Sequence, residues 1–410
     1  MQNIPRSTAP KITLRPSAKI LLRKMIYFYG PILRSDLAEC LDVTSTTVTT
    51  NINVMLTAGS LCELEDANSP EGKIGRKASL IDINAASHYF IGVEIRQSAR
   101  HICLTDYRGR VLFKHSDIEL IRDYDENICR VCSMICKLLS GSPVPRERIS
   151  GIGIAIPGVV DWENGVLLAH HQYRWFNRNV REDIQRGCSF DGIIAIGNDA
   201  NARALGIQLY QREQFNGTST LAYLFVARGI SCPFILRDTN LHSRALGLGE
   251  LGYMLLTPPN FGDSLGLGGT LSSFSGERSL ADKCLALIAE NKAPILCEIC
   301  EGKRPTIQQI LQAQQQGESS VCELIRQSLE YLGYAICNVC NFILPDAFII
   351  DARVADSAEN RAYLMSVIRE HLMLQDRTHT QFHFVETNDF NGARSAAALA
   401  IRAQLNLIED

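Results

Sequence analysis

The stretch Ile193-Ile194-Ala195-Ile196-Gly197-Asn198-Asp199-Ala200-Asn201-Ala202 decides the fold. Its apolar half reads as a short buried strand, and Asn198-Asp199 stand at the carboxyl end of that strand, directly before an alanine-rich helix. Open α/β sheets place their ligands outside the carboxyl ends of strands. A carboxylate there can bind a sugar hydroxyl or act as its general base. The same residues can also be read as an Asx turn that only caps the helix.

Upstream the pattern repeats. Ile149-Ser150-Gly151-Ile152-Gly153-Ile154-Ala155-Ile156-Pro157-Gly158 is a second buried strand opening into a loop, and residues 89–95, 99–106 and 108–113 read as consecutive strands joined by tight turns. A helical period runs near 126–139. Strands alternating with helices specify α/β layers.

The first ninety residues differ. Residues 17–29 carry Ile20, Leu21, Met25 and Phe28 at helical spacing, and Gly30-Pro31 ends the run. Ser35 before Asp36-Leu37-Ala38-Glu39 predicts the start of a short second helix that closes near Leu41-Asp42. After a tight turn, a third helix has Val48, Ile52, Met55 and Leu56 on one face and almost only hydroxyls and amides on the other. Ordinary solvated helices favour Lys, Glu and Arg. Short donors and acceptors such as Ser45, Thr46, Thr47, Thr49, Thr50 and Asn51 suit phosphates and base edges in a major groove; a polar helix packed on a neighbouring domain is the other reading. Residues 61–83 read as two strands around a polar loop, a wing whose tip carries Arg76 and Lys77 for a minor groove or phosphate. A plain basic hairpin would look the same. Arg6, Lys11, Arg15, Lys19, Arg23, Lys24 and Arg34 all precede the first acid, Asp36, so this arm and helix either follow a phosphate backbone or are merely solvated.

At 410 residues the chain is long enough for two or three domains, and 46% hydrophobic against 21% charged residues favours folded structure throughout. The net charge of −3 divides into +2 for residues 1–84 (ten Lys/Arg, eight Asp/Glu) and −5 for the rest. No signal peptide and no run of 18 apolar residues is visible, which points to a cytoplasmic protein without a membrane span. Fourteen cysteines scattered through apolar stretches suit a reducing compartment. Cys129-x-x-Cys132-x-x-x-Cys136, Cys297-x-x-Cys300 and Cys337-x-x-Cys340 lie in helical patterns, where such pairs more often pack than bind metal.

Taken together, the helix-turn-helix and wing through Gly75-Arg76-Lys77, Gly151-x-Gly153-x-x-x-Pro157-Gly158, Gly197-Asn198-Asp199-Ala200-Asn201-Ala202, Gly249-Glu250-Leu251-Gly252 and Asn391-Gly392-Ala393 resemble the ROK family of repressors and sugar kinases, in particular its N-acetylglucosamine and xylose repressor branch, over almost the whole chain. The resemblance implies an α/β fold class: an N-terminal winged helix-turn-helix followed by a two-lobed, actin-like (ribonuclease H-like) domain with a sugar in its cleft. Asn198, Asp199 and Glu250 then become hydroxyl ligands, with Asn177 after Trp175-Phe176 a further candidate and His170-His171 close to the cleft.

The departures are as informative. Where the family's kinases carry an Asp-x-Gly-Gly-Thr phosphate loop, this chain reads Glu94-Ile95-Arg96-Gln97-Ser98; the second phosphate loop reads Ala227-Arg228-Gly229-Ile230-Ser231, and the adenosine-side glycines read Asp351-Ala352-Arg353. Backbone can wrap phosphate closely only at glycine, so no catalytic residue and no ATP site is expected. The family's zinc ligands, one His and three Cys, align with Tyr253, Asp263, Leu265 and Thr270, and the following Glu with Ser272, so neither a metal nor a cofactor is expected.

The expected organisation is therefore residues 1–86 as the winged helix-turn-helix, 87–205 as a first lobe completed by about 390–410, and 206–389 as a second lobe. The expected function is a sequence-specific transcription regulator of carbohydrate-related genes, most simply a repressor. Its partners are a double-stranded DNA operator, a sugar or sugar-phosphate effector and further copies of itself in a homodimer or homotetramer. Control by a protein partner, or activity as a sugar kinase, are the alternatives.

Overall fold

A computed structural model describes residues 18–65, 79–96, 98–211, 214–215, 218–236, 239–240, 249–258, 268–373 and 380–407. It begins with helices α1 (Ala18–Tyr29), α2 (Arg34–Leu41) and α3 (Ser45–Thr57), and strands β1 (Ile32–Leu33), β2 (Leu61–Glu65) and β3 (Ser79–Ile83) form a sheet in the order β1-β3-β2. This is the expected winged helix-turn-helix with two adjustments. Leu33, not Ser35, occupies the N-cap of α2, and Ser35 lies inside its first turn, bonded to Asp36. On α1 the buried positions are Ile20, Leu22, Ile26 and Tyr27, while Leu21, Met25 and Phe28 are half-covered. The reason is that α1 packs on two neighbours at once, its own domain and the last helix of the chain, so no single stripe describes it.

Strands β4 (Tyr89–Ile95), β5 (Arg100–Asp106), β6 (Val111–Asp117), β7 (Ile149–Ile156) and β11 (Ile193–Asn198) build the first lobe's sheet in the order β11-β7-β4-β5-β6. Helix α4 (Tyr124–Ser140) covers one face, and a hairpin sheet of β8 (Val159–Asp161), β9 (Val166–His170) and β10 (Trp175–Asn179) leads into α5 (Val180–Cys188). Because β4, β7 and β11 run parallel, their carboxyl ends meet on one edge. Helix α6 (Asp199–Tyr210) starts there and carries the chain toward the second lobe.

That lobe is a sheet of β12 (Thr220–Val226), β13 (Ile230–Ser231), β14 (Phe234–Leu236), β15 (Thr239–Asn240), β16 (Ala347–Ala352) and β17 (Gln381–Phe384), with β16 parallel to both β12 and β17. Around it lie α7 (Leu271–Ser275), α8 (Glu277–Ala289), α9 (Pro294–Ile299), α10 (Ile307–Gln315), α11 (Ser319–Ile343) and α12 (Ala358–His371). The chain then returns to the first lobe as α13 (Asn391–Leu405), packed against β4, β7, β11 and α6.

Close approach of α13 to the sheet explains two glycines in the strand patterns. A Cβ on Gly92 would overlap the carbonyl oxygen of Ala393, and one on Gly153 that of Ala396. Alanines at 393, 396, 397, 398 and 400 complete this tight seam. At its far end α13 meets α1: the buried Arg23 donates to the carbonyls of Gln404 (3.2 Å) and Leu407 (2.9 Å). Arg23 therefore serves as a joint and not, as its place in the basic arm suggested, as a phosphate contact. Tyr27 donates to the Tyr107 carbonyl (3.1 Å), and Arg108 binds both the Tyr27 carbonyl (2.6 Å) and the Asp82 carboxylate. One apolar cluster runs from Leu22, Ile26 and Tyr27 through Phe90 and Tyr107 to Leu399 and Leu405. The helix-turn-helix is thus seated on the first lobe through both apolar and charged contacts.

Since overpacking a tight seam costs about 1–3 kcal/mol, Gly153→Ala should lower the unfolding free energy, read from urea titration, by an amount at the upper end of that range. A solvent-facing control, Gly302→Ala, has open space around its Cβ but a positive φ of +69°, so it should cost only the smaller backbone strain.

Candidate functional site

Two regions bring predicted residues together. The first is α3. Thr44 caps it by accepting from the Thr47 amide (3.2 Å), and Val48, Ile52 and Met55 are buried. Ser45, Thr46, Thr49 and Thr50 are exposed on the opposite side, as a DNA-reading face requires. Thr47 and Asn51 are half-buried and already engaged: the Thr47 hydroxyl shares a hydrogen bond with that of Thr44 (2.9 Å), and the Asn51 amide donates back to the Thr47 carbonyl (2.8 Å). Arg34, the last of the basic residues before Asp36, bridges Asn53 (3.2 Å) and Glu63 (2.6 Å). Arg76 and Lys77 lie outside the described residues, as do Arg6, Lys11 and Arg15.

The second region is the cleft between the lobes, at the carboxyl ends of β4, β7, β11, β12 and β16. Asn198 caps α6, its side-chain oxygen accepting from Ala200 (3.0 Å) and Asn201 (3.2 Å), while its amide donates to the Gly158 carbonyl (2.9 Å). The capping reading of Asn198 is therefore realised, and the cap ties α6 to the loop after β7. Asp199 sits beside it, accepting from the Ala200 amide (2.9 Å). Burial, then the nearby Glu94 charge, push its carboxyl above the ordinary range against the pull of Arg203 and Arg96. Glu250 is likewise pushed up, by burial and by the charge of Asp199. The charge of Asp199 thus reaches an acid of the other lobe.

Asn177 is exposed on β10 in a left-handed conformation (φ 49°), and among the described residues no hydrogen bond joins it to Asn198, Asp199 or Glu250. His170 stacks on Tyr173 with ring centroids 3.7 Å apart and accepts from the Tyr173 amide through Nδ1 (3.1 Å). Burial, followed by the charges of Arg228 and His171, holds its imidazole down to about 4, so it is neutral at pH 7. Tyr173 in turn packs edge-on against Trp175 at 4.9 Å. An aromatic wall of this kind, with Arg228 reaching toward it from the second lobe, was not visible in the sequence.

Deeper in the cleft, the residues that stand where kinases hold nucleotide have found partners. Arg203, one turn into α6 and 3% exposed, donates to Glu94 (2.7 Å) on β4 and to Asp351 (3.1 Å) on β16, and stacks over Phe225 at 4.4 Å. Tyr223 donates to the same Asp351 oxygen (2.6 Å), and Arg96 adds a second cation to Glu94 (3.0 Å). Burial alone would raise the Glu94 carboxyl, but Arg203 and Arg96 outweigh it and bring it down to about 2. Gly392 completes the enclosure, since a Cβ there would overlap the Glu94 carboxylate. Arg353 pairs with Asp389 (2.7 Å), and the buried Glu277 feels both Arg353 and Arg96. An acid kept at the first phosphate-loop position, Glu94, and one gained at an adenosine-side glycine, Asp351, called for a buried cation; Arg203 is the one basic residue of α6, and that pairing was the available signal.

Of the positions aligned with a zinc site, Tyr253 is exposed and Thr270 buried, whereas Asp263 and Leu265 lie outside the described residues. All fourteen cysteines are free thiols, and no cluster of three His, Cys, Asp or Glu fit to hold a metal occurs among the described residues. No helix among them is long and apolar enough to cross a membrane.

Comparison with known proteins agrees with this architecture. The xylose repressor of Caldicellulosiruptor bescii is 28% identical over 343 residues, covering 82% of this chain and 83% of that protein. A crystal structure of a ROK family transcriptional regulator, a homologue of the Escherichia coli MLC protein, superposes with a TM-score of 0.78 at 21% identity over 95% of this chain and 97% of that one. A ROK family glucokinase from Streptomyces griseus, solved with glucose and AMPPNP, superposes with a TM-score of 0.65 at 20% identity over 76% of this chain and 98% of its own. Repressors and sugar kinases thus share the two-lobed fold, and the regulator match extends over the N-terminal helices as well. The ROK family model matches residues 90–403, more than half of the sequence, and the chain belongs to the ROK family.

Proposed function

We propose that this protein is a DNA-binding transcription regulator, a repressor of carbohydrate-related genes, whose kinase-like cleft senses a sugar or sugar derivative without phosphorylating it. The observation that carries the reading is the exposed Ser45, Thr46, Thr49, Thr50 face of α3 on a domain seated firmly against the sugar-kinase-like lobe. The relatives named as repressors support it. Asp199 and Glu250, with Asn198 and Asn177 nearby, are the proposed hydroxyl ligands; two acids whose environment favours protonation can accept or donate hydrogen bonds to a polyol. A dimer would read a two-fold DNA site, and ligand binding would shift the population of arrangements of the two α3 helices. Helix α6 offers a route for that shift, since it carries Asp199 at its start and packs along α13, whose far end holds Arg23 of α1.

Loss of kinase chemistry follows from the ionic bridge. Where the family's kinases carry the two glycines of the phosphate loop, this chain carries Arg96 and Gln97, whose side chains keep backbone from wrapping phosphate closely, and Arg96 is paired with Glu94. Arg203, a cation placed to attract phosphate, is already shared between Glu94 and Asp351.

The proposal is tested by selecting genomic fragments with the full-length protein at near-physiological salt, which should recover a discrete palindromic site. Thr46→Glu with Thr50→Glu should weaken that binding on the order of tenfold or more by setting carboxylates against phosphates; recovery of non-specific DNA alone would overturn the regulator reading. A panel of hexoses, pentoses and amino sugars should include one that raises the melting temperature of the wild type and not of Asp199→Asn, and coupled assays should show no ATP turnover with any of them. For the bridge itself, Glu94→Gln should cost about 3–5 kcal/mol at pH 7 by leaving buried Arg203 half-paired. Because the folded-state Glu94 titrates at about 2, below its ordinary 4.5, its contribution is complete above that ordinary value and fades as pH falls toward 2. The stability gap between wild type and variant should narrow over that interval.

A further inference from the structure

Away from the cleft, on the outer side of the first lobe, three cysteines converge. Cys132 and Cys136 lie one turn apart on α4, and Cys188 is the last residue of α5. The two helices approach so closely that a Cβ on Gly187 would overlap the Cys132 sulfur. Sulfur-to-carbonyl contacts cross the interface in both directions, Cys188 Sγ to the Cys132 carbonyl at 3.9 Å and Cys136 Sγ to the Gly187 carbonyl at 3.8 Å. The thiols of both Cys132 and Cys136 also act on the Cys188 thiol. Cys132 and Cys188 are buried, whereas Cys136 is exposed.

This arrangement differs from the protein's other thiols. Cys103, Cys232 and Cys284 are sealed in apolar surroundings that push them far up, to about 12 for Cys103 and Cys284, so they are poor nucleophiles. In the α4–α5 group an exposed sulfur that small oxidants can reach stands beside buried sulfurs that can answer it, the accessible-plus-resolving pattern of a reversible thiol site. Hydrogen bonding couples the Cys132 and Cys188 thiols, lowering Cys132 and, together with burial, raising Cys188 well above its ordinary range.

We propose that Cys136, Cys132 and Cys188 form a redox-responsive thiol site in which a hydroperoxide joins α5 to α4 through a disulfide at Cys188. In the first step the Cys136 thiolate attacks the peroxide; an S–O bond forms, the O–O bond breaks, and hydroxide leaves to take up a proton. The Cys188 sulfur, giving up its proton, then attacks the sulfenic sulfur; the S–S bond forms, the S–O bond breaks, and water leaves. Two thiols lose two electrons to one peroxide. The Cys132 thiolate can then exchange for Cys136 at the same Cys188 sulfur. The bond would fasten the end of α5 that lies opposite the Tyr124–Asp183 hydrogen bond (2.8 Å), so that both ends of the α4–α5 pair are held.

Trypsin separates the participants cleanly. Cleavage after Arg130, Lys137, Arg186 and Arg203 yields peptide 131–137, carrying Cys132 and Cys136, and peptide 187–203, carrying Cys188; Cys129 falls in a different peptide. The full-length protein is treated with hydrogen peroxide near one equivalent, alkylated and mapped without reduction by mass spectrometry. The expected product is peptide 131–137 linked to 187–203, released by dithiothreitol, formed several-fold more slowly in Cys136→Ser and not at all in Cys188→Ala. Recovery of 187–203 as the free thiol while Cys136, Cys129 or Cys40 carries sulfinic acid, or a bridge through the Cys129 peptide instead, would overturn the proposal, and neither outcome depends on how well a variant folds.

Discussion

Arg203 is the constraint on which the rest of the structure depends. Its guanidinium is buried where the two lobes meet, and it can be buried only because Glu94 from one sheet and Asp351 from the other both pair with it. A buried charge without partners costs several kcal/mol, so each of the three residues commits the other two. The bridge spans β4, α6 and β16, elements from both lobes, and Tyr223 and Gly392 close around it. Departures from the family pattern at Glu94-Ile95-Arg96 and at Asp351 thus meet in one ion network.

The same region fixes the path between cleft and DNA-binding helices. Helix α13 begins at Gly392 against the Glu94 carboxylate and ends, fifteen residues or about 22 Å later, where Gln404 and Leu407 receive Arg23. Its alanine seam leaves no room for sliding against β4 and β7, because the glycines opposite admit no side chain. A closely packed element therefore runs from the cleft to α1. The aromatic and charged joint of Tyr27, Tyr107, Arg108 and Asp82 fixes the same helix from its second side.

The cleft has two distinct electrostatic compartments. Near the bridge, Glu94 is held ionised by two guanidinium groups; toward the opening, Asp199 and Glu250 are pushed in the other direction by burial and by the acids behind them. A neutral His170 stacked in an aromatic wall gives this part of the cleft an uncharged lining. That gradient comes from position alone, since all three acids belong to ordinary residue types in unremarkable sequence.

How far the sequence reached can be judged residue by residue. The strand ending in Asn198-Asp199, the alternating strands and helices and the hydroxyl face of α3 follow from local pattern, because periodicity acts over a few neighbouring residues; the absent phosphate-loop glycines are read only against the ROK resemblance. Asn198 was legible both as a cap and as a site residue, and the cap is what its hydrogen bonds realise. What local pattern could not contain was pairing between residues far apart in the chain. Arg23 looked like part of a basic arm and became a buried joint 381 residues from its acceptor Gln404; Arg203 looked like an ordinary position in a helix and became the bridge to Asp351, 148 residues away. Sequence alone determined the elements and their order; tertiary structure decided which charges are buried together, since burial depends on what the rest of the chain excludes from water at that point.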